Sequence, residues 1–359
     1  MAGSVLDAWL AQCCGALPHE SLPQCVANFQ LHALRATLGW CCERSALYRA
    51  RLGKNPPVMH CLEDLAHIPF TTVEDVRQWQ NLLCVSQSDV LRMVTVQTSG
   101  TTGQPKRLAF TARDLQRTCQ FFQVGMGQVV QPGQRLLVLL PGAERPNGVA
   151  DLLRQSLPGV EVRAGSFDTH ARALRAALEA YAPHALVATP AQLRCLLTAF
   201  TSAPAPPLAG GILSSADPLP CDLGRALAQV FSCLVLDHYG LTESGYGGGV
   251  QCHAHDGYHL READLLVEVV DMHDGSPLPL GQIGEVVITT LGREAMPLLR
   301  YRTGDAAALL PGPCTCGSPL KRLGRIQGRL VRHGNTLGIQ HLPKGRGGDH
   351  YVSVPVHTL

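Results

Sequence analysis

The sequence predicts an α/β fold in which parallel sheets with flanking helices are followed by a smaller β-rich subdomain. Short apolar runs lie at residues 135–140, 185–188 and 233–236. Helical stretches alternate with them, at residues 151–157, 171–181 and 223–231. This alternation is typical of parallel strands joined by crossover helices. After about residue 265 the apolar runs are separated by turns instead, at 265–270, 284–290 and 306–310, which favours antiparallel β-structure.

The same patterns divide the chain into four segments. Apolar residues recur at helical spacing between residues 25 and 52, so residues 1–90 are expected to form a helical N-terminal segment. Residues 91–264 should form the α/β core, and residues 265–330 the β-rich subdomain. Between residues 331 and 359 neither period is sustained. We therefore expect a loose tail there.

The bulk composition favours small-molecule chemistry. Of 359 residues, 45% are hydrophobic and 16% are charged, and the formal net charge is +2. No strong field therefore marks a binder of nucleic acid or of an anionic membrane surface. The N-terminus carries Asp7 and Glu20, and no apolar run approaches the roughly 18 residues that span a bilayer. We expect a cytoplasmic protein without membrane association, with its 14 cysteines reduced.

A polar loop that ends in Lys106 is the most informative segment. It follows the strand-like run 93–97 and has hydroxyls and glycines at Thr98, Ser99, Gly100, Thr101, Thr102 and Gly103. Glycines let backbone N–H groups turn toward an anion, hydroxyls donate further hydrogen bonds, and a lysine supplies a compact positive charge. These properties suit a triphosphate. The spacing differs from GxxxxGK[ST], because no Ser or Thr follows Lys106. A polar surface loop is the alternative interpretation.

Two further motifs follow in the chain. Tyr239-Gly240-Leu241-Thr242-Glu243 comes after an apolar run, and its carboxylate is a hard oxygen ligand of the kind that Mg²⁺ prefers. Tyr301-Arg302-Thr303-Gly304-Asp305 lies in the β-rich stretch. Taken singly, the first could be a turn with an exposed glutamate and the second a turn that ends a strand.

A weaker segment, Ser214-Ser215-Ala216-Asp217-Pro218, lies between the polar loop and the first of these motifs. By resemblance, it falls where relatives of this sequence carry a short Gly/Ala-acid-Pro segment along a bound adenine. A helix that begins at Pro218, with Asp217 as its N-cap, would explain the same residues equally well. Both interpretations stay open.

The polar loop and the two motifs, in this order, resemble the signature segments of the AMP-forming adenylating enzymes, which include acyl-CoA synthetases, peptide-synthetase adenylation domains and luciferases. Across residues 30–330 the sequence is most similar to phenylacetate–CoA ligases, notably at Ile68-Pro69-Phe70-Thr71-Thr72 and Arg325-Ile326-Gln327-Gly328-Arg329. The resemblance implies the large N-terminal domain of an acyl-CoA synthetase, with nucleotide bound in the core 91–264. It further implies that an aryl or acyl carboxylate reacts with ATP to give an acyl-adenylate and then a coenzyme A thioester.

The resemblance also implies roles for individual residues. Catalysis falls to Lys106, to Thr242 at the α-phosphate and to Glu243, which would hold Mg²⁺. Tyr239 would stack on adenine, and Asp305 would accept hydrogen bonds from the ribose hydroxyls. The remaining nucleotide-binding positions are Thr98, Ser99, Gly100, Thr101, Thr102, Gly103, Ser215, Ala216, Asp217, Gly240, Arg325 and Arg329. The partners implied are a small carboxylic acid, ATP and coenzyme A, and a homodimer is a further expectation by analogy.

Four residues could form a structural zinc site. Cys314-Thr315-Cys316 places two thiols on a tight turn, and Cys252 and His259 lie upstream. Structural Zn²⁺ takes four tetrahedral Cys or His ligands, and some relatives resemble this chain at these positions. His253 and His255 are competing ligands. The alternative is chance proximity, because the chain has many cysteines and this spacing is not a standard CxxC pair.

The C-terminal end departs from the family pattern. Relatives continue for about a hundred residues as a mobile lid with a catalytic lysine, whereas thirty residues follow Arg329 here. Lys344 is interpreted as an exposed tail lysine, and the lid domain is expected to be missing. Three explanations are open: a truncated or frameshifted product, a lid supplied by another chain or partner, or a catalytically impaired protein that binds nucleotide or acyl-adenylate. Separately, the acyl group could be transferred to a carrier-protein thiol instead of coenzyme A.

Overall fold

The computed structural model describes residues 3–96, 105–145, 148–165, 170–200, 204–333, 336–341 and 351–354. The α-helices in this part of the chain are α1 (Val5–Cys14), α2 (Leu22–Arg44), α3 (Ala46–Leu52), α4 (Val73–Arg77), α5 (Ala112–Met126), α6 (Val149–Ser156), α7 (Ala171–Tyr181), α8 (Pro190–Ala199) and α9 (Cys221–Phe231). Short 3₁₀ helices lie at Leu62–His67, Trp79–Asn81 and Gln87–Asp89. None of the helices in these ranges combines the length and apolar character that crossing a membrane requires.

The strands form three sheets. A hairpin pairs β1 (Arg92–Val96) with β2 (Lys106–Phe110). A large sheet contains β3 (Arg135–Val138), β4 (Glu161–Ala164), β5 (Ala185–Ala188), β6 (Gly211–Ser214), β7 (Leu234–Tyr239), β8 (Gly249–Val250), β9 (Tyr258–Leu260) and β13 (Arg322–Leu323). The third sheet contains β10 (Leu265–Val270), β11 (Gly284–Thr290), β12 (Tyr301–Ala307), β14 (Gly328–His333), β15 (Thr336–His341) and β16 (Tyr351–Val354).

The large sheet is parallel at its centre and covered on both faces. Its strand order is β13-β9-β8-β7-β6-β5-β3-β4, and the five strands from β7 to β4 are parallel. Side chains alternate between the two faces of a strand. On β3, Leu136 and Val138 join one hydrophobic core, whereas Leu137 joins a second core with Leu178 of α7 and Leu227 of α9. The predicted fold class, parallel strands with flanking helices and a smaller β-rich part, is confirmed.

The N-terminal segment is helical, but its long predicted helix is divided. Ser45 lies between α2 and α3 with extended backbone, and its side chain accepts a hydrogen bond from the backbone N–H of Tyr48. Such N-caps stabilise a helix by about 1 kcal/mol. The Tyr48 hydroxyl then lies 2.8 Å from Thr71 Oγ1, which donates to the carbonyl of Leu299. The helical segment is therefore anchored next to the antiparallel sheet.

The antiparallel sheet extends further than the sequence indicated. Its order is β10-β11-β12-β14-β15-β16. We expected a loose tail from residue 331, and this is wrong for the described residues, because β14 pairs with β15 over residues 328–341 and β15 pairs with β16. The apolar alternation is weak there, but backbone pairing with an existing sheet edge needs no such pattern. Lys344 lies outside the described residues.

We propose to keep the segment boundaries derived from the sequence, with one amendment. The antiparallel sheet begins with β10 at Leu265, which coincides with the predicted boundary at residues 264 and 265. The strand β13 returns from the β-rich segment to the edge of the large sheet, where Arg322 pairs with His259. The amended division therefore treats β13 as part of the core sheet, although it lies within residues 265–330.

Candidate active site

The candidate site lies at the carboxyl ends of two neighbouring parallel strands. The segment Ser215-Ala216-Asp217 follows β6, and Gly240–Glu243 follows β7. In open α/β sheets ligands bind outside the carboxyl ends of the strands. Gly240 is required locally, because a Cβ atom there would lie 2.7 Å from the carbonyl oxygen of Tyr246. The turn after β7 thus closes tightly over the sheet edge.

A polar cavity of about 290 Å³ opens at this edge. It is lined by Ala216, Asp217, Pro218, His238, Tyr239, Gly240, Leu241, Tyr258, Asp305, Ile326 and Arg329. Six of these are residues that the sequence assigned to nucleotide binding: Ala216, Asp217, Tyr239, Gly240, Asp305 and Arg329. The structure therefore brings together positions that are up to 113 residues apart in the chain, from 216 to 329.

Asp305 is the buried carboxylate of the polar cavity. It lies inside β12, after Gly304, whose φ of 76° is in the left-handed region that glycine tolerates. The Tyr239 hydroxyl donates to Asp305 Oδ2 over 3.1 Å, and Arg329 Nε donates to Oδ1 over 2.9 Å. Burial raises the pKa of Asp305, and Arg329 opposes that shift. The interpretation of this motif as a strand-ending turn is wrong, because the motif is part of the strand.

Lys106 and Glu243 form a nearly buried ion pair. Lys106 begins β2, Glu243 lies in the turn after β7, and their side chains are 13% and 5% exposed. The Tyr301 hydroxyl also donates to Glu243 Oε1, over 2.9 Å. Burial by itself would raise the pKa of Glu243, but the charge and hydrogen bond of Lys106 outweigh it, and the pKa lies below its ordinary value. Glu243 is therefore an anion at neutral pH, and the alternative of an exposed glutamate is wrong.

An apolar cavity of about 660 Å³ lies beside the polar one. It is bounded by α5, α6 and the central strands, and its lining residues are Val96, Phe121, Phe122, Gly125, Met126, Leu140, Pro141, Val149, Leu153, Val187, Leu213, Ser215, Ala216, His238, Gly240, Leu241, Thr242, Tyr246 and Val250. Thr242 and Ser215 lie here. Ala216, His238, Gly240 and Leu241 line both cavities. The two cavities therefore adjoin at the turn after β7.

A second cluster, separate from the two cavities, gathers Cys252, His259, Cys314 and Cys316. All four are buried, and their ligand atoms lie within 4.8 Å of one another. Cys252 Sγ lies 3.8 Å from Cys314 Sγ, and Cys316 Sγ lies 3.6 Å from His259 Nε2. Burial raises the pKa of Cys252 to about 12 and lowers the pKa of His259 to about 4. At neutral pH Cys252 is therefore an uncharged thiol and His259 an uncharged imidazole.

Some of the predicted nucleotide-binding residues are not among the described lining of the polar cavity. Thr98, Ser99, Gly100, Thr101, Thr102 and Gly103 lie outside the described residues. Arg325 donates to the carbonyl of Leu219 and to Cys221 Sγ, and it does not line the polar cavity. Asp217 is not a helix N-cap, because α9 begins at Cys221 with Pro220 before it. That structural interpretation of the segment is wrong.

The sequence analysis gave no role to three residues of the site. Tyr301 contacts Glu243 directly, Arg293 donates to the Glu243 carbonyl, and His238 lines both cavities. Tyr301 opens a motif that had been recognised, and His238 immediately precedes Tyr239, so position was a usable signal for both. Arg293 lies 50 residues from Glu243 in a loop after β11. Nothing in the sequence pattern around Arg293 indicated its contact with Glu243.

Comparison with known proteins supports the same assignment. Residues 58–293 match the family of AMP-binding enzymes. A phenylacetate–coenzyme A ligase of Pseudomonas putida is 31% identical over 318 residues, which are 84% of this chain and 70% of that protein. One of Thermus thermophilus is 31% identical over 330 residues, 87% of this chain and 71% of that protein.

A solved structure is similar in fold. A crystal structure of 2-hydroxyisobutyryl-CoA ligase, in complex with 2-HIB-AMP and CoA, has a TM-score of 0.73 and 22% identity over 87% of this chain and 70% of that one. The family match covers more than half of the present chain. The chain therefore belongs to the AMP-binding enzymes and, within them, to the phenylacetate–CoA ligase family of AMP-forming acid–CoA ligases.

Proposed function

We propose that the chain activates an aryl or acyl carboxylic acid with ATP at the junction of the two cavities and passes the acyl group to coenzyme A. The adjoining cavities carry this proposal. An acyl-adenylate has a polar nucleoside and an acyl group on either side of one phosphate. The polar cavity contains Tyr239 and Asp305, the apolar cavity offers mainly carbon, and Thr242 lies in the turn between them.

Each residue at the junction then has a role. Tyr239 would present its ring and Asp305 its carboxylate to the nucleoside. Arg329, whose side chain is 59% exposed, would lie on the solvent side of the polar cavity. Lys106 would meet the phosphate oxygens once a nucleotide draws it from Glu243. Glu243 has the ionised carboxylate that suits Mg²⁺. When bound, the ion would offset phosphate charge.

The chemistry balances in two steps. A carboxylate oxygen of the acid attacks the α-phosphorus of ATP, a carbon–oxygen–phosphorus link forms, and pyrophosphate leaves. The thiolate of coenzyme A then attacks the acyl carbon, a thioester forms, and AMP leaves. Both reactants of the first step are anions. The positive charge of Lys106 and the hydroxyl of Thr242 would therefore stabilise the transition state most where negative charge develops on the phosphate oxygens.

We expect acid-dependent exchange of labelled pyrophosphate into ATP, followed by thioester formation when coenzyme A is added. The assay uses the full chain with a panel of aryl and aliphatic acids. Exchange with at least one aryl acid, and none without acid, is the expected result, because the first step is reversible. Nucleotide binding by calorimetry without exchange for any acid would contradict the proposal and favour a binding protein. Loading of a phosphopantetheinyl carrier in preference to free coenzyme A would identify the alternative thiol.

We further propose that Cys252, His259, Cys314 and Cys316 hold a structural Zn²⁺. Zinc–sulfur bonds of about 2.3 Å and zinc–nitrogen bonds of about 2.0 Å place tetrahedral ligands about 3.8 Å apart for two sulfurs and about 3.5 Å apart for sulfur and nitrogen. The distances of 3.8 Å and 3.6 Å between these atoms fit. His253 and His255 are not part of this set. The zinc would fix the loop at Cys314 to the strand β9.

Replacing Cys314 with serine should remove about one equivalent of zinc per chain and lower Tm by more than about 5 °C, since a bound structural metal contributes directly to folding free energy. Zinc is measured by elemental analysis of the purified protein, and Tm by calorimetry. Cys61→Ser is the matched control, because Cys61 is exposed and outside the cluster. Wild-type protein that contains no zinc after growth and purification in zinc-supplemented buffer would contradict the site.

Two broader features stay proposals. We propose a cytoplasmic location, and the homodimer rests on analogy with the family. Fractionation of cells and sedimentation of the purified chain would test them.

A further inference from the structure

The described wall of the apolar cavity carries no charged side chain. Its polar side chains are Ser215, His238, Thr242 and Tyr246, and the rest of the lining is carbon and glycine backbone. No Asp, Glu, Lys or Arg among the described residues lines it. A second carboxylate or an ammonium group on the substrate would therefore lose its hydration without gaining an ion partner, which is costly. The body of the acid, beyond its reacting carboxylate, must be uncharged.

Among the described lining residues, His238 is the one with a ring nitrogen base. It lies near the end of β7, where its ring centroid is 6.5 Å from that of Phe121. Two glycines leave room for it: a Cβ atom at Gly240 would lie 2.6 Å from His238 Cε1, and one at Gly247 would lie 3.4 Å from Nε2. His238 Nδ1 is 3.2 Å from Ser215 Oγ. The imidazole is thus held in place by packing and by one hydrogen bond.

The other ring nitrogen is unused. Nε2 makes no hydrogen bond with any residue that the structure describes, although the side chain lines both cavities. Burial, with a smaller effect of Arg261, lowers the pKa of His238 to about 4. At neutral pH the imidazole is uncharged, so it has one N–H donor and one acceptor. A polar atom of a cavity wall that has no protein partner favours a ligand that supplies one.

We propose that His238 selects acids whose uncharged, apolar body carries a hydroxyl group within reach of Nε2. This inference rests on the proposed acid–CoA ligase function and specifies its substrate class. A hydroxyl both donates and accepts, so it pairs with Nε2 whichever way the Ser215 hydrogen bond runs. An ether oxygen can only accept, and a methyl group can do neither. Methyl-substituted acids fill the same volume but leave Nε2 without a partner.

The test compares pairs of arylacetic acids that carry a hydroxyl or a methyl group at the same ring carbon. For each pair kcat/KM is measured by pyrophosphate exchange, and affinity by calorimetry, with wild type, His238→Leu and His238→Gln. For one ring position the wild type should prefer the hydroxy acid by about tenfold, the value of one hydrogen bond. His238→Leu should abolish this preference. His238→Gln, whose amide reaches the Nε2 position, should retain part of it.

Val149→Ala is the matched control, because it enlarges the same cavity without removing a polar group and should affect both acids alike. Equal use of hydroxy and methyl acids by the wild type at every ring position would overturn the inference, as would an unchanged ratio in His238→Leu. Exchange with methyl acids alone would leave the ligase function standing and reject the role of His238. If no acid supported exchange, the ligase function would fail, and the calorimetric preference would still decide the role of His238.

Discussion

Replacing Lys106 with methionine should lower acid-dependent pyrophosphate exchange by at least about a hundredfold, the effect of removing one preorganised group that stabilises developing charge. Lys106 is the cation that reaches Glu243, and its side chain is 13% exposed, so solvent can replace little of its charge. Exchange is measured with saturating ATP and the best acid of the panel. Retention of wild-type exchange would remove Lys106 from the mechanism.

Loss of activity must be separated from loss of fold, because Lys106→Met leaves a buried anion at Glu243. Breaking one side of a buried pair costs about 3–5 kcal/mol. The double variant Lys106→Met with Glu243→Gln removes both charges, so it should recover Tm without recovering exchange. Because Glu243→Gln by itself should also lower exchange, the loss is assigned to Lys106 by assaying Lys106→Met below its own Tm, and recovery of exchange in the double variant would contradict the roles of both residues.

The same variant gives a pH signature. In the wild type, the folded pKa of Glu243 is lowered, so the pair stabilises the fold above the unfolded pKa and this contribution is lost as pH falls. In Lys106→Met no positive charge opposes the effect of burial, so the folded pKa of Glu243 is raised. The buried carboxylate then becomes protonated as pH falls, and its cost to the free energy of folding is removed. The Tm difference between wild type and variant should therefore narrow between pH 7 and pH 5.

Glu243→Gln should also lower exchange by about a hundredfold or more, but for another reason. Glutamine has nearly the same shape, and its amide oxygen can still accept hydrogen bonds from Tyr301 and Lys106. What it lacks is the negative charge that holds Mg²⁺ against phosphate. Titrating magnesium at fixed ATP should show a higher magnesium requirement than that of the wild type. Because Lys106 is left without its counter-charge, Tm should also fall, so exchange is measured below the Tm of the variant.

Glu268→Gln is the matched control for this substitution. Glu268 is also a partly buried carboxylate with a basic partner, Arg300, but it lines neither cavity. Its exchange activity should stay near the wild-type value. A Glu243→Gln variant with normal exchange at the same magnesium concentration would contradict the role that we give Glu243.

The local sequence pattern was sufficient to predict a helix or strand where the apolar residues of that element show its periodicity. The helix Ala171–Tyr181 and the strands Ala185–Ala188, Leu265–Val270 and Gly284–Thr290 have the predicted bounds. The predicted helical segment 25–52 is helical on both sides of Ser45, but the break there was not predicted, because a serine inside an apolar repeat does not show by itself whether it caps a new helix. The strands β14 to β16 were missed because edge pairing depends on an existing sheet more than on the pattern of the added strand.

The sequence by itself determined the fold class and the kinds of chemistry present: a lysine after a glycine-rich loop, a Tyr-Gly-x-Thr-Glu segment and a Tyr-Arg-Thr-Gly-Asp segment. Only the tertiary structure decided which groups meet. Lys106 and Glu243 are 137 residues apart in the chain. A role for His238 can be inferred only from the two cavities that it lines. Sequence spacing fixes neighbours along one element, whereas contacts between elements depend on how the sheet packs against its helices.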